Sequence, residues 1–150
     1  MATQSNLDTV YLSMAENLSS LSTAKRRKVG CLIVKGTQII SEGYNGTPTG
    51  FDNCCEYTDD VDEMYTKPEV LHAESNAITK LARSTNSSEG ATMYVTCSPC
   101  FDCAKLIIQA GISKVIYRNL YTSRNCMEAL ALLTKAGITV VQRNKKEEVT

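Results

Sequence analysis

The chain has 150 residues, 43% of them hydrophobic and 21% charged, and its sixteen basic side chains balance sixteen acidic ones. That length suits one domain, residues 1–150, with a core of its own. The even charge argues against a nucleic-acid partner, which usually demands a basic surplus. No apolar run is long enough for a bilayer and the opening MATQSNLD lacks a signal-like stretch, so the expectation is no membrane and a cytoplasmic address.

Asn6 to Leu21 places Leu7, Val10, Tyr11, Met14, Leu18 and Leu21 at helical spacing, which predicts an amphipathic opening helix. The basic run Lys25-Arg26-Arg27-Lys28 follows. Val29 to Lys35 is apolar and β-branched, Gly36 interrupts it and Gln38 to Gly43 resumes, predicting a hairpin. Gly43 to Gly50 (GYNGTPTG) is a loop. The polar stretch from Phe51 to Pro68 reads as an irregular excursion, longer than a usual connection and therefore functional or mobile. Leu71 to Arg83 predicts a helix with Leu71, Ala77, Ile78, Leu81 and Ala82 facing inward.

Beyond Gly90 the pattern alternates: strand Met93 to Thr96, helix Cys100 to Ala110, strand Lys114 to Arg118, helix Asn125 to Ala136, strand Ile138 to Gln142. Such alternation implies crossovers and a sheet covered on both faces. The expected class is α/β, a three-layer α/β/α sandwich around a five-stranded mixed sheet. The charged tail Asn144 to Thr150 is expected to fray.

Seven cysteines and a single histidine stand in the chain. Outside a secretory route, the cysteines read as thiols or metal ligands, not as a disulfide framework. Two segments concentrate the chemistry: His72-Ala73-Glu74 opening one helix, and Pro99-Cys100-Phe101-Asp102-Cys103 opening another. Cys100 and Cys103 lie three apart, so their sulfurs share a helix face. The positive end of that helix favours thiolates, and Pro99 loses nothing by its missing N–H there.

Two thiolates and one imidazole offer Zn2+ three protein ligands, the pattern of a catalytic site that leaves its fourth position to water. Cys97, three residues before Cys100, could instead close a structural four-ligand site, although its place at a strand end disfavours that. Glu74 weighs toward catalysis: two residues from the histidine it is poorly placed to coordinate, and well placed to carry a proton. HxE followed by PCxxC is the zinc nucleobase deaminase signature.

On HAE, CSPCFDC and GYNGTPTG the sequence resembles the cytidine deaminase superfamily and, more narrowly, the deoxycytidylate deaminases, over roughly Leu7 to Arg143. The resemblance implies hydrolysis of dCMP to dUMP and ammonia, which supplies dUMP for thymidylate synthesis. It assigns the zinc to His72, Cys100 and Cys103. Glu74 is implied as the group that moves a proton to cytosine N3 and then to the departing amine. Asn45 is implied to bind the sugar 3′-hydroxyl, with the backbone around Ala73 and Ser98 framing the base. For the 5′-phosphate, Arg26 and the Tyr121 hydroxyl are the candidates.

By the same resemblance, the effectors are dCTP (activating) and dTTP (inhibiting), each carried with Mg2+. They would bind at GYNGTP, where Gly43, Tyr44 and Gly46 stand, with Arg83 linked to the response, in a homo-oligomer that is expected to be a hexamer. Some relatives hold a second zinc. Here Cys31, Cys54 and Cys55 lack a spare histidine for it, so Cys31 is read as a buried strand residue, Cys54 and Cys55 as loop thiols and Cys126 as helix filler.

Overall fold

A computed structural model describes residues 1–145. In chain order the elements are α1 (Gln4–Ser19), β1 (Gly30–Lys35), β2 (Gln38–Tyr44), β3 (Glu56–Thr58), β4 (Met64–Thr66), α2 (Ala73–Leu81), β5 (Thr92–Cys97), α3 (Phe101–Gln109), β6 (Lys114–Asn119), α4 (Arg124–Lys135) and β7 (Thr139–Gln142). Five strands form one mixed sheet in the order β2-β1-β5-β6-β7. β1 runs antiparallel to both β2 and β5, whereas β5, β6 and β7 are mutually parallel. The expected α/β class and five-stranded mixed sheet are both observed.

Strand alternation divides the core into two layers. Cys31, Ile33, Met93, Val95, Val115 and Tyr117 face one way and pack against Ala73, Ala77 and Leu81 of α2, Ala104 and Ile107 of α3, and Ala129 and Leu133 of α4. Leu32, Val34, Tyr94 and Ile116 face the other way and pack against Tyr11, Leu12 and Ala15 of α1. Helices therefore cover both faces, giving three layers. Within the described residues, no helix is long and apolar enough to cross a membrane.

The opening helix keeps only part of its predicted face: Tyr11 is buried and Leu7 and Leu18 pack against the core. Its buried residues are Asp8, Tyr11, Leu12 and Ala15, while Val10, Met14 and Leu21 are exposed. A polar residue occupies the inner face because Tyr94 on β5 donates its hydroxyl proton to the Asp8 carboxylate at 2.6 Å. Around α2, Ala77 and Leu81 face inward as expected, but Leu71 ahead of the helix and Ile78 within it are only half-buried and Ala82 beyond it is exposed; Ala73 and Glu74 are buried as well. The excursion before α2 is not wholly irregular either, because β3 and β4 pair antiparallel within it as a short hairpin. Of the expected frayed tail, residues 146–150 lie outside the described residues.

Candidate active site

The site forms where two helices begin on the same side of the sheet. His72 is the N-cap of α2 and Cys100 the N-cap of α3, both in extended backbone, and neither side chain caps its own helix. The imidazole and the thiol therefore turn toward each other. His72 Nδ1 lies 3.3 Å from the Sγ of Cys100 and 3.3 Å from that of Cys103. The three ligand atoms fall within 4.8 Å of one another, and no other such group of His, Cys, Asp and Glu occurs among the described residues. Tetrahedral zinc with ordinary Zn–N and Zn–S bonds sets its nitrogen and sulfur ligands about 3.5 Å apart. The triad fits that ion in both spacing and donor chemistry.

Electrostatics point the same way. Sharing of the Cys103 proton, followed by the His72 contact, pulls the Cys100 thiol down to about 4. The same sharing pushes Cys103 up. The Cys100 contact raises His72 against the opposing effect of its burial. A divalent cation bound by these groups would replace the protons they share.

Glu74 occupies the first turn of α2 and is 4% exposed. Burial raises its carboxyl above the usual range, while the charges and hydrogen bonds of its neighbourhood pull in both directions. A buried carboxyl raised above its ordinary range beside this triad suits a group that must take and return a proton.

Around this centre lies a cleft of about 250 Å³. Arg26, Asn45, Ala73, Ser98 and Tyr121 all line it together with His72, Glu74 and Cys100, so the sequence-predicted substrate residues converge on one cavity. Asn45 also staples the cleft wall: its Oδ1 accepts from the Val29 N–H at 2.8 Å and its Nδ2 donates to the Arg27 carbonyl at 2.8 Å. Each group keeps one hydrogen-bonding valence for a ligand. The Ser98 hydroxyl accepts from the Tyr121 N–H at 2.9 Å, tying the strand end after β5 to the strand end after β6.

Cys97 does not join the triad. Its Sγ lies 3.6 Å from the Tyr121 hydroxyl, and burial followed by this contact raises that phenol to about 12. The four-ligand alternative therefore has no support from the geometry. Cys31 and Cys55 are fully buried, Cys54 is exposed, and none belongs to a group of three metal-capable side chains among the described residues. Burial, with the Glu74 charge adding to it, raises the Cys31 thiol.

The proposed effector residues do not enter the cleft. Gly43 is buried against α2: a Cβ there would lie 2.5 Å from the Ala73 carbonyl and 2.7 Å from the Ala77 nitrogen. Its lack of a side chain is thus a helix–strand packing requirement. Gly46 has open space where a Cβ would stand, and its backbone exchanges two hydrogen bonds with Leu71. Tyr44 is 37% exposed and Arg83 is exposed.

Sequence reasoning missed several lining residues, among them Arg27, Glu56 and Thr66. The Arg27 guanidinium sits over the Tyr121 ring, 3.4 Å from its centroid. Glu56 and Thr66 line the cleft from the β3–β4 hairpin. The basic run Lys25 to Lys28 held the signal for Arg27, but nothing in the spacing distinguished it from Arg26. For Glu56 and Thr66 no local signal existed.

Comparison with known proteins agrees with the geometry. The pattern of the cytidine and deoxycytidylate deaminase zinc-binding region matches residues 5–119. Deoxycytidylate deaminase of Enterobacteria phage T4 is 37% identical, over 90% of this chain and 89% of its own length. The human deoxycytidylate deaminase is 38% identical, over 86% of this chain and 75% of its own. A solved dCMP deaminase from the cyanophage S-TIM5, in complex with dCMP and dUMP, superposes with a TM-score of 0.85 at 40% identity, covering 95% of this chain and all of that one. The matched stretch contains the whole His72–Cys100–Cys103 triad and Glu74, and the chain belongs to the cytidine and deoxycytidylate deaminase family.

Proposed function

We propose that the protein deaminates dCMP hydrolytically, yielding dUMP and ammonia and so feeding thymidylate synthesis. The observation that carries this reading is the buried Glu74 beside a three-ligand metal triad, in a cleft that also presents Arg26 and Arg27. The relatives named above bear the name deoxycytidylate deaminase, and the solved neighbour holds dCMP and dUMP.

In this reading His72, Cys100 and Cys103 hold Zn2+, which when bound lowers the pKa of water at its fourth position to supply the nucleophile. Glu74 would take one proton from the attacking water and deliver it to N3 of the cytosine ring, then take the second from the hydroxyl formed at C4 and pass it to the 4-amino group, which leaves as ammonia. The start of α3 adds its dipole to the stabilisation of charge that develops on the ring. The walls at Ala73 and Ser98 frame the base, and Asn45 offers its remaining valences to the sugar 3′-hydroxyl. Arg26 and the Tyr121 hydroxyl receive the 5′-phosphate, for which a charge-assisted contact is the strong choice.

The regulatory reading rests on the resemblance carried by GYNGTP. Gly43, Tyr44, Gly46 and Arg83 would take dCTP or dTTP with Mg2+ outside the cleft, in a hexamer. Tyr44 and Arg83 are exposed and Gly46 is half-buried.

The test follows loss of cytosine absorbance with dCMP, deoxycytidine, CMP and dCTP in parallel, with and without dCTP or dTTP as effector. Turnover strongest on dCMP is the expected result. No turnover by zinc-loaded protein on any of the four would overturn the reading, and unchanged rates with either triphosphate would remove the regulatory part alone.

A further inference from the structure

The β3–β4 hairpin crosses the cleft at the edge where Arg26 stands, and its two base residues do different things to that one arginine. Glu56 and Thr66 are directly opposed across the hairpin, and both line the cleft. Glu56 is 7% exposed, and its Oε1 accepts from the main-chain N–H of Lys25 at 2.7 Å and of Arg26 at 3.2 Å. Thr66 accepts from the other end of the same residue: the Arg26 Nη1 donates to Thr66 Oγ1 at 3.2 Å. One strand thus fixes the turn that carries Arg26, and the facing strand fixes the guanidinium.

A long cation at a cleft rim ordinarily loses rotamer freedom when it binds its anion, which costs affinity. Here the cost is met before the ligand arrives. The stacked rings of Tyr57 and Tyr65, 5.5 Å apart, hold the hairpin in register one residue further out. Another tie, from the Thr23 hydroxyl to the Asn53 carbonyl, joins the segment before the hairpin to the segment before Arg26.

We infer that the base of this hairpin is a positioning device for Arg26, with Glu56 and Thr66 setting how strongly the enzyme depends on a 5′-phosphate. Neither residue touches the reacting ring. Glu56 acts by ordering the Lys25–Arg26 backbone, and Thr66 by aiming the Arg26 guanidinium. The inference rests on the assignment of the phosphate to Arg26 in the proposed function.

The test is a double-mutant cycle in zinc-loaded protein, reading KM and kcat for dCMP. Thr66→Val keeps the shape of the side chain and removes the acceptor. It raises KM by roughly three- to tenfold, the scale of one hydrogen bond, while kcat changes far less, and Thr66→Ser restores KM. In the Arg26→Ala background the same Thr66→Val change has no further effect, because residues acting through a shared partner are not additive. Glu56→Gln keeps an acceptor and removes the charge, and it also raises KM through loosening of the turn.

An unchanged KM in folded Thr66→Val protein overturns the inference. So does an undiminished Thr66→Val effect in the Arg26→Ala background, which would mark a general structural role. Failure of the proposed function would be visible separately, as unaltered parent enzyme that fails to deaminate dCMP or prefers deoxycytidine.

Discussion

Cys97 and Cys100 stand three residues apart and face different partners: the Cys100 Sγ lies 3.3 Å from His72 Nδ1, and the Cys97 Sγ lies 3.6 Å from the Tyr121 hydroxyl. The end of β5 separates them, because Cys97 is its last residue and Cys100 caps the next helix. Zinc content should follow this division. Cys97→Ser protein is expected to carry one zinc per chain, as the parent does, whereas Cys100→Ser protein purified alike should lose most of it. Metal analysis decides. Loss of zinc from the Cys97 variant would show a four-ligand centre.

Glu74→Gln should separate metal holding from proton transfer. The amide is nearly isosteric, so the α2 packing and the triad remain, but it cannot take or deliver the proton. Turnover is expected to fall by about two to four orders of magnitude with zinc content and thermal midpoint preserved. Retention of more than a tenth of the parent rate would move the general acid–base role elsewhere.

The chemistry was legible in the sequence because it rests on short-range spacing: HAE and PCFDC each bring their groups together within one helix start. The alternating half from β5 onward was legible for the same reason, since period-2 and period-3.6 patterns are local. What escaped depends on partners far along the chain. Asp8 sits on the buried face of α1 only because Tyr94 lies opposite it, 86 residues away. The strands EYT and MYT are too short to show alternation. They are held by the Glu56 carboxylate, which accepts from the Lys25 and Arg26 N–H groups, and by the Tyr57–Tyr65 stack. Gly43 looked like loop chemistry because its neighbours in sequence are loop residues, while its constraint comes from α2.

Tyr94→Phe tests that buried pair. The Tyr94 ring is 1% exposed, and its hydroxyl donates to an Asp8 carboxylate that also accepts from the Gln4 side chain at 2.8 Å. Removing the hydroxyl should lower stability at neutral pH by about 1–2 kcal/mol. Burial first, and the Asp8 contact second, raise this phenol well above its ordinary value near 10. The folded value therefore exceeds the unfolded one, so the contribution is fully present below about pH 10 and is lost as pH rises from there toward the folded value. Urea midpoints for parent and variant should converge above pH 10, by up to about 1.4 kcal/mol per pH unit. A constant difference between them from pH 8 to pH 11 would refute the assignment.

Gly43 and Gly46 stand three residues apart in the loop motif and should respond oppositely to alanine. At Gly43 the new methyl meets main-chain atoms of Ala73 and Ala77, which no side-chain rotation can clear. The helix must shift, and its start carries His72 and Glu74. Overpacking of this kind costs about 1–3 kcal/mol, so the Gly43→Ala midpoint should fall, and zinc affinity and turnover should fall with it even when no triphosphate is present. At Gly46 nothing lies within 4 Å of the added carbon, so Gly46→Ala should keep both its midpoint and its zinc. If Gly46 contacts an effector, its variant should lose the response to dCTP and dTTP alone. Thermal melts and zinc titrations on the two variants decide the packing assignment. A Gly43→Ala protein as stable and as well metallated as the parent would show that α2 yields at no cost, and would leave the effector reading as the one account of Gly43.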